Sequence, residues 1–227
     1  FARYVKDVIL WQAGGDGITV HLREDRRHIR DADLARIQAA STLPLNLEMA
    51  ATDEMVEIAL RHRPHAACIV PERREERTTE GGLDAAGQHN RLYPLVQRLL
   101  DGGIRVSLFI APEPRQVEAA MRLGAPVVEF HTGEYAHAFD RSPAAHSATG
   151  DACAAELKRV ADMAALAAKN GIEPHAGHGL TFDNVQAVAA IPQLAELNIG
   201  HYLVGEAIFC GLEASISKMR QLMDLAR

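Results

Sequence analysis

Cysteine, aromatic residues and long apolar runs are all scarce in this sequence. The three cysteines among 227 residues form no CxxC pair, which disfavours a disulfide framework or a zinc ribbon and fits a reducing compartment. No stretch approaches the roughly 18 consecutive apolar residues of a membrane-spanning helix, and no signal peptide is visible. We therefore expect a cytoplasmic protein with no membrane partner.

Positive charge is also in the minority, because 24 lysines and arginines stand against 30 acidic residues, for a net charge of −6. This balance argues against a nucleic-acid partner. The absence of a GxGxxG or P-loop pattern disfavours nucleotide ligands. The local exception is HLREDRRHIR, residues 21–30, with four arginines and two histidines. A basic cluster in an acidic chain predicts a site for a small anion.

Short β-rich runs alternate with helical segments along the chain. Strands are predicted at 16–21, 45–49, 67–71, 105–110, 126–131, 172–176 and 196–200. Most are continuous apolar runs, which is typical of strands covered on both faces. Helices are predicted at 30–41, 52–63, 90–103, 113–124, 150–171, 181–191 and 205–226, the last with a break near Gly211. The alternation predicts a parallel sheet with right-handed crossovers.

The predicted fold is an α/β TIM (β/α)8 barrel that forms a single domain over residues 1–227. Seven strands are visible and residues 1–15 read as a helix, so we expect the first barrel strand to be missing from this chain. An open doubly wound sheet is the alternative. The irregular stretch 72–89 predicts a lid or binding loop, and the segment 138–153 predicts a surface loop.

Ionisable residues and glycines stand at the ends of the predicted core strands, where active sites of such barrels form. In chain order they are His21 with Arg23, Glu48, Glu72, Glu129 with His131, His175 with His178, and Gly200 with His201.

Among these strand-end residues, Glu48 and Glu129 each interrupt an apolar run. Burial of a carboxylate raises its pKa and makes it a candidate general base or acid. The alternative for each is an acid that pairs with an arginine at the barrel mouth.

Histidines and glycines add proton transfer and anion binding. His21 and His178 suit proton shuttling near neutral pH, while the HxxH spacing that ends at His178 leaves a metal site as the competing use. Gly200 and His201 follow a strand and precede a helix, which predicts a phosphate pocket. Gly179 lies in a similar glycine-containing loop.

A second anion site is predicted from the basic cluster. Arg23 and His28 are its expected ligands, since arginine binds phosphate in a bidentate manner, and Thr78 adds a hydroxyl from the loop. Residues 24–27 are expected to form ion pairs or a subunit contact. Two anion sites beside acid/base groups predict one or two phosphorylated substrates that undergo proton-transfer or carbonyl chemistry.

Seven segments together resemble the pyridoxine 5′-phosphate synthase family of bacterial vitamin B6 biosynthesis. They are GITVHLREDRRHI, NLEMA, VPERREERTTEGGLDAAGQ, VSLFI, GAPVVEFHTGEYA, AGHGLTFDNV and ELNIGH, in this order over nearly the whole chain. The resemblance implies a (β/α)8 barrel of the transferase class that condenses 1-deoxy-D-xylulose 5-phosphate with 3-amino-2-oxopropyl phosphate. The products are pyridoxine 5′-phosphate, inorganic phosphate and water. It further implies a homo-octamer that needs no metal and no organic cofactor.

The resemblance also implies roles for individual residues. His21 and Glu48 correspond to proton acceptors, His178 to the proton donor and Glu129 to a transition-state stabiliser. The contacts to the deoxyxylulose phosphate correspond to Arg23, His28 and Thr78. The contacts to the amino-oxopropyl phosphate correspond to Gly179, Gly200 and His201.

Two departures from the family are visible. The Asn-x-Asp-His motif of the family's first strand has no counterpart here, and His175 stands where the family usually has asparagine. Two alternatives therefore remain open: a phosphosugar isomerase, epimerase or aldolase on the same barrel, and a catalytically inactive binder of phosphate ligands. A Schiff-base aldolase is disfavoured because all four lysines, Lys6, Lys158, Lys169 and Lys218, lie in predicted helices.

Overall fold

The computed structural model describes residues 13–73, 76, 81–141 and 151–227. Its centre is a sheet of seven parallel strands in sequential order, which curves into a nearly closed barrel. The strands are β1 (Ile18–His21), β2 (Leu45–Met49), β3 (Ala66–Ile69), β4 (Arg105–Ile110), β5 (Val127–His131), β6 (Glu173–Gly177) and β7 (Glu196–Asn198). The predicted TIM-like α/β fold is confirmed, and the open doubly wound sheet is wrong because neighbouring strands in the sheet are consecutive in the chain.

Helices follow the strands and cover the outside of the barrel. Within the described residues they are α1 (Asp31–Ala40), α2 (Asp53–His62), α3 (His89–Asp101), α4 (Pro114–Leu123), α5 (Gly133–Asp140), α6 (Asp151–Lys169), α7 (Val185–Ala189), α8 (His201–Cys210) and α9 (Leu212–Leu225). None of the described helices is both long and apolar enough to cross a membrane.

Successive side chains along each strand point to opposite faces of the sheet, so that apolar residues face outward and polar residues face inward. Outward side chains such as Leu47, Leu108 and Phe130 are fully buried in the layer between sheet and helices. Inward positions include Glu48 and Glu129, whose side chains interact across strands. Most barrels of this type fill the interior with branched apolar residues. The polar side chains that point into this barrel therefore indicate that its reactive groups lie in the barrel interior.

The two edge strands of the sheet meet through side chains. Thr19 Oγ1 on β1 donates to Asn198 Oδ1 on β7 at 2.9 Å, and Asn46 Nδ2 on β2 donates to Thr19 Oγ1 at 3.4 Å. No backbone pairing joins β1 to β7 within the described ranges. These polar contacts hold the ends of the barrel wall next to each other.

One helix of the structure was not predicted, and two predicted helices differ from it in their bounds. Helix α5 falls in a segment for which no helix was predicted, α8 begins at His201 rather than at 205, and the helix expected at 181–191 spans only Val185–Ala189. Helices are predicted from apolar residues that recur over several turns. A helix of five to ten residues that directly follows a strand contains too few of them. The expected break near Gly211 is confirmed, since Gly211 adopts φ +85° between α8 and α9.

Several expectations fall on residues outside the described ranges. They are most of the opening helix at 1–15, residues 74, 75 and 77–80 of the expected lid at 72–89, and most of the surface loop at 138–153.

Candidate active site

The carboxyl end of the barrel brings the predicted acid/base residues together. His21 and Glu48 are register partners at the ends of β1 and β2. His21 Nδ1 lies 3.7 Å from Glu48 Oε2. Parallel strands end at the same edge of a sheet, which is why residues 27 positions apart in the chain become neighbours. An imidazole and a carboxylate at this separation can exchange a proton with little rearrangement.

Glu48 is held in a mostly buried position inside the barrel mouth. Burial raises the pKa of Glu48, and the electrostatic interaction with the nearby His21 opposes that rise. A carboxylate with a raised pKa is a stronger base near neutral pH than an ordinary one. The predicted raised pKa is therefore supported, and the partner of Glu48 is a histidine rather than the arginine considered as the alternative.

Glu129 on β5 lies deeper in the barrel than Glu48 and is only 3% exposed. Its Oε2 accepts a hydrogen bond from Asn198 Nδ2 at 3.0 Å and a weak one from Cys68 Sγ at 3.8 Å. Burial raises the pKa of Glu129 well above its usual value, and the charges of Glu48 and Glu196 add to the rise. A carboxyl group in this setting favours its neutral, proton-bearing form.

Gly177 makes room for the Glu129 carboxyl group. A Cβ at position 177 would clash with Glu129 Oε1 and lie 2.8 Å from the backbone oxygen of Asn198. Only glycine leaves the space that Oε1 occupies, so the sequence of β6 and the position of the acid on β5 depend on each other.

Cys68 on β3 is fully buried beside the two carboxylates. Burial raises the pKa of the Cys68 thiol, and the charges of Glu129 and Glu48 raise it further. A thiol that stays protonated is a poor nucleophile. Its place in the site is that of a hydrogen-bond donor to Glu129.

His178 lies in the loop after β6 with a backbone rarely adopted by non-glycine residues, at φ +83°. Thr132 Oγ1 donates to the His178 carbonyl oxygen at 2.6 Å and stabilises this conformation. The His178 ring stacks on His131 with the ring centroids 4.7 Å apart, and Phe109 packs edge-on against His131 at 5.2 Å. Strained backbone at the end of a barrel strand is a common feature of functional loops.

His131 is a residue whose role the sequence did not reveal. Its Nδ1 accepts a hydrogen bond from the Gly133 backbone N–H at 3.2 Å. A Cβ at Gly81 would lie 3.4 Å from His131 Nε2, so Gly81 packs closely against this ring. The sequence placed His131 at a strand end, but that position did not reveal that its ring stacks on His178.

The glycine-containing loops lie at the same end of the barrel. Gly179 has φ +80°, and a Cβ there would lie 2.8 Å from the Ala136 Cβ. Gly200 is the N-cap of α8, and His201 is the first residue of that ten-residue helix. Both are exposed, and a Cβ at Gly200 would meet nothing within 4 Å. The N-terminus of α8 thus presents backbone N–H groups to open space, which suits an anion.

The basic cluster forms the loop between β1 and α1. Arg23 Nη2 lies 4.0 Å from Glu72 Oε2, and its Nε lies 3.4 Å from Asp25 Oδ1. His28 is exposed in this loop. Thr78 lies outside the described residues.

The expected ion pairs of residues 24–27 are confirmed. Arg27 pairs with Asp25, Arg26 pairs with Asp31, and Arg73 pairs with Glu24.

Metal binding was the competing use of the HxxH spacing. His175 points inside the barrel, where its Nε2 lies 2.7 Å from Glu173 Oε1 and its Nδ1 lies 3.6 Å from Glu196 Oε1. Across the described parts of the chain, no group of three or more His, Cys, Asp or Glu residues is arranged to hold a metal ion.

Residues 5–225 match the family described as pyridoxal phosphate biosynthesis protein PdxJ. The chain is 61% identical over 222 residues to a pyridoxine 5′-phosphate synthase of Jannaschia sp., covering 97% of this chain and 86% of that protein. It is 61% identical over 215 residues to the enzyme of the same name from Zymomonas mobilis, covering 95% and 80%. This chain belongs to the PdxJ family. The expected role as an enzyme of vitamin B6 biosynthesis is confirmed.

Two solved structures with the same fold are much more distant in sequence than these relatives. A 4-hydroxy-2-oxoglutarate aldolase aligns with TM-score 0.59 and 16% identity over 95% of this chain and 84% of its own. The phosphoribosyl anthranilate isomerase of Thermus thermophilus aligns with TM-score 0.58 and 13% identity over 97% and 93%. At such identities the likeness supports the barrel architecture of this PdxJ-family chain and nothing finer.

Proposed function

We propose that this PdxJ-family chain condenses 1-deoxy-D-xylulose 5-phosphate with 3-amino-2-oxopropyl phosphate to give pyridoxine 5′-phosphate, inorganic phosphate and water. The observation that carries this proposal is the pairing of His21 with Glu48 at the barrel mouth, at 3.7 Å, in a chain 61% identical to named synthases. Ring formation requires an imine, an enolisation, loss of a phosphate, an aldol-type closure and dehydrations. Each of these steps moves a proton and needs an acid or base within hydrogen-bond reach.

The proposed proton acceptors are His21 and Glu48, and the proposed donor is His178. The raised pKa of Glu48, caused by burial, supports its role as a base. Glu129 is proposed to stabilise the transition state, since a buried carboxyl group that retains its proton can donate a hydrogen bond to developing negative charge.

The two phosphate groups are proposed to bind at opposite sides of this acid/base cluster. Gly179, Gly200 and His201 would hold the amino-oxopropyl phosphate, supported by the open N-terminus of α8. Arg23, His28 and Thr78 would hold the deoxyxylulose phosphate. Arg23 now contacts Glu72 and Asp25, so a phosphate would compete with carboxylates for this guanidinium.

The homo-octamer, the cytoplasmic location, the single domain and the independence of metal and organic cofactors stay predictions from the sequence and its resemblance.

Incubation of the purified protein with both substrates, followed by ultraviolet absorbance of the pyridine product, tests the proposal. Product should form only when both substrates are present, and one inorganic phosphate should be released per product. Isomerisation of the deoxyxylulose phosphate alone would favour the isomerase alternative. Binding of both compounds without turnover would favour the inactive binder.

A further inference from the structure

Glu72 is a buried carboxylate next to His21, three residues beyond Ile69 at the end of β3. Its side chain is only 4% exposed. Oε1 lies 3.0 Å from His21 Nε2, and Oε2 accepts the Glu24 backbone N–H at 3.1 Å. Both carboxylate oxygens are therefore committed to the β1 strand end and its loop. No role was assigned to Glu72 from the sequence beyond its position at a strand end.

A second buried carboxylate fixes the backbone that carries Glu72. Glu76 Oε2 accepts the backbone N–H groups of Glu72 and Arg73 at 3.0 and 3.1 Å. Glu76 Oε1 accepts from Arg91 Nη2 on α3 at 2.9 Å. Burial alone would raise the pKa of Glu76, but the hydrogen bonds from Arg73 and Arg91 outweigh it and lower this pKa. The ionised Glu76 thus anchors the Glu72 turn to the helix layer.

We propose that Glu72 is a positioning residue that keeps a proton on His21 Nε2, so that Nδ1 is the atom that exchanges protons with Glu48. This inference rests on the proposed function of His21. An ionised carboxylate has no proton to donate, so the ring nitrogen that faces it must be the donor. Nδ1, 3.7 Å from Glu48 Oε2, then carries the variable proton. A carboxylate that selects one imidazole tautomer is a recurring device in general base catalysis.

The variant Glu72→Gln should reverse this tautomer. The Glu24 backbone N–H would retain the amide oxygen as its acceptor, which places the amide NH2 group against His21 Nε2. An amide NH2 only donates, so Nε2 would have to accept and the ring proton would move to Nδ1. In that state Nδ1 can no longer accept a proton.

The ¹⁵N chemical shifts of His21 in histidine-labelled protein report the tautomer directly, with His21→Asn used to assign the signals. The wild type should show Nε2 protonated, and Glu72→Gln should show Nε2 unprotonated. An unprotonated Nε2 in the wild type would overturn the proposal, and this measurement does not depend on the variant folding. It also does not depend on turnover, so it separates this proposal from the proposed function.

Kinetics supply the second readout. Glu72→Gln should lower kcat by roughly 10²-fold or more, with KM for the amino-oxopropyl phosphate changed by less than about threefold. KM for the deoxyxylulose phosphate is not part of this criterion, because its proposed ligand Arg23 lies 4.0 Å from Glu72 Oε2. The matched control is Glu113→Gln, which removes a carboxylate that pairs with Arg115 after the neighbouring strand β4 and should leave kcat unchanged. Equal kcat in Glu72→Gln and wild type, or a loss confined to KM, would contradict a positioning role.

Discussion

The pKa values of the carboxylates shift in opposite directions at the two ends of the barrel interior. At the carboxyl end, burial raises the pKa of both Glu48 and Glu129. Toward the amino end, Glu173 lies 2.7 Å from Arg105 Nη2 and 2.7 Å from His175 Nε2. The hydrogen bonds from Arg105 and His175 lower the pKa of Glu173.

The difference shows which carboxylates inside the barrel are suited to proton transfer. A carboxylate with a cationic partner stays ionised and holds two strands together. Glu48 faces an imidazole and Glu129 faces an amide and a thiol, and burial raises the pKa of both, which suits proton exchange. The barrel interior thus has a reactive half at its carboxyl end, with Glu48 and Glu129, and a structural half toward its amino end, with Glu173. Substitutions in each half can test this division.

The largest expected effect is on turnover. Glu48→Gln should lower kcat by roughly 10²-fold or more because the amide cannot accept the proton. Glu173→Gln removes the same charge from the other half and should keep kcat within about threefold. Steady-state rates of pyridine formation check both variants. Equal losses of kcat in the two variants would erase the distinction between the halves.

The next effect is on stability at the reactive half. Gly177→Ala should destabilise the fold by about 1–3 kcal/mol, since its Cβ would overlap Glu129 Oε1 in a packed interior. Gly205→Ala is the matched control, because a Cβ there meets nothing within 4 Å on helix α8. It should be neutral or stabilise by about 0.5–1 kcal/mol. Urea denaturation measures both, and an unchanged midpoint for Gly177→Ala would show that Glu129 can move aside.

The pH dependence of stability should carry the signature of Glu129. Its folded-state pKa is raised, so the folded state binds more protons than the unfolded state above pH 4.5. Stability from this group is therefore present at low pH and is lost as the pH rises toward the folded-state pKa, by about 1.4 kcal/mol per pH unit at most. Glu129→Gln removes this loss. Thermal unfolding of both proteins from pH 4.5 to 8 should give a growing advantage to the variant, and parallel curves would contradict the raised pKa.

The smallest effect should come from the structural half. Arg105→Gln breaks the ion pair with Glu173, and both side chains are one third or more exposed. A pair this exposed contributes about 1 kcal/mol or less. Thermal unfolding should shift down by only a few degrees while kcat stays at the wild-type value. A loss of turnover in Arg105→Gln would show that the two halves are coupled.

Much of the site was readable from single strands. Glu48 and Glu129 stood out because each lies inside an apolar run, and burying an ionised acid in a sheet covered on both faces costs free energy. Gly200 and His201 stood out because a strand was predicted to end at Gly200, directly before His201. The roles of Glu72 and His131 could not be read, because each depends on a partner 40 or more positions away in the chain.

The sequence by itself determined the alternation of strands and helices, the family, and which residue types end each strand, since these follow from local pattern and motif. Only the tertiary structure decided which acid faces which base. Strand register placed His21 beside Glu48, and the anchored turn after β3 placed Glu72 behind them. Burial then raised the pKa of Glu48 and Glu129, because desolvation acts on a side chain only once the barrel has formed around it.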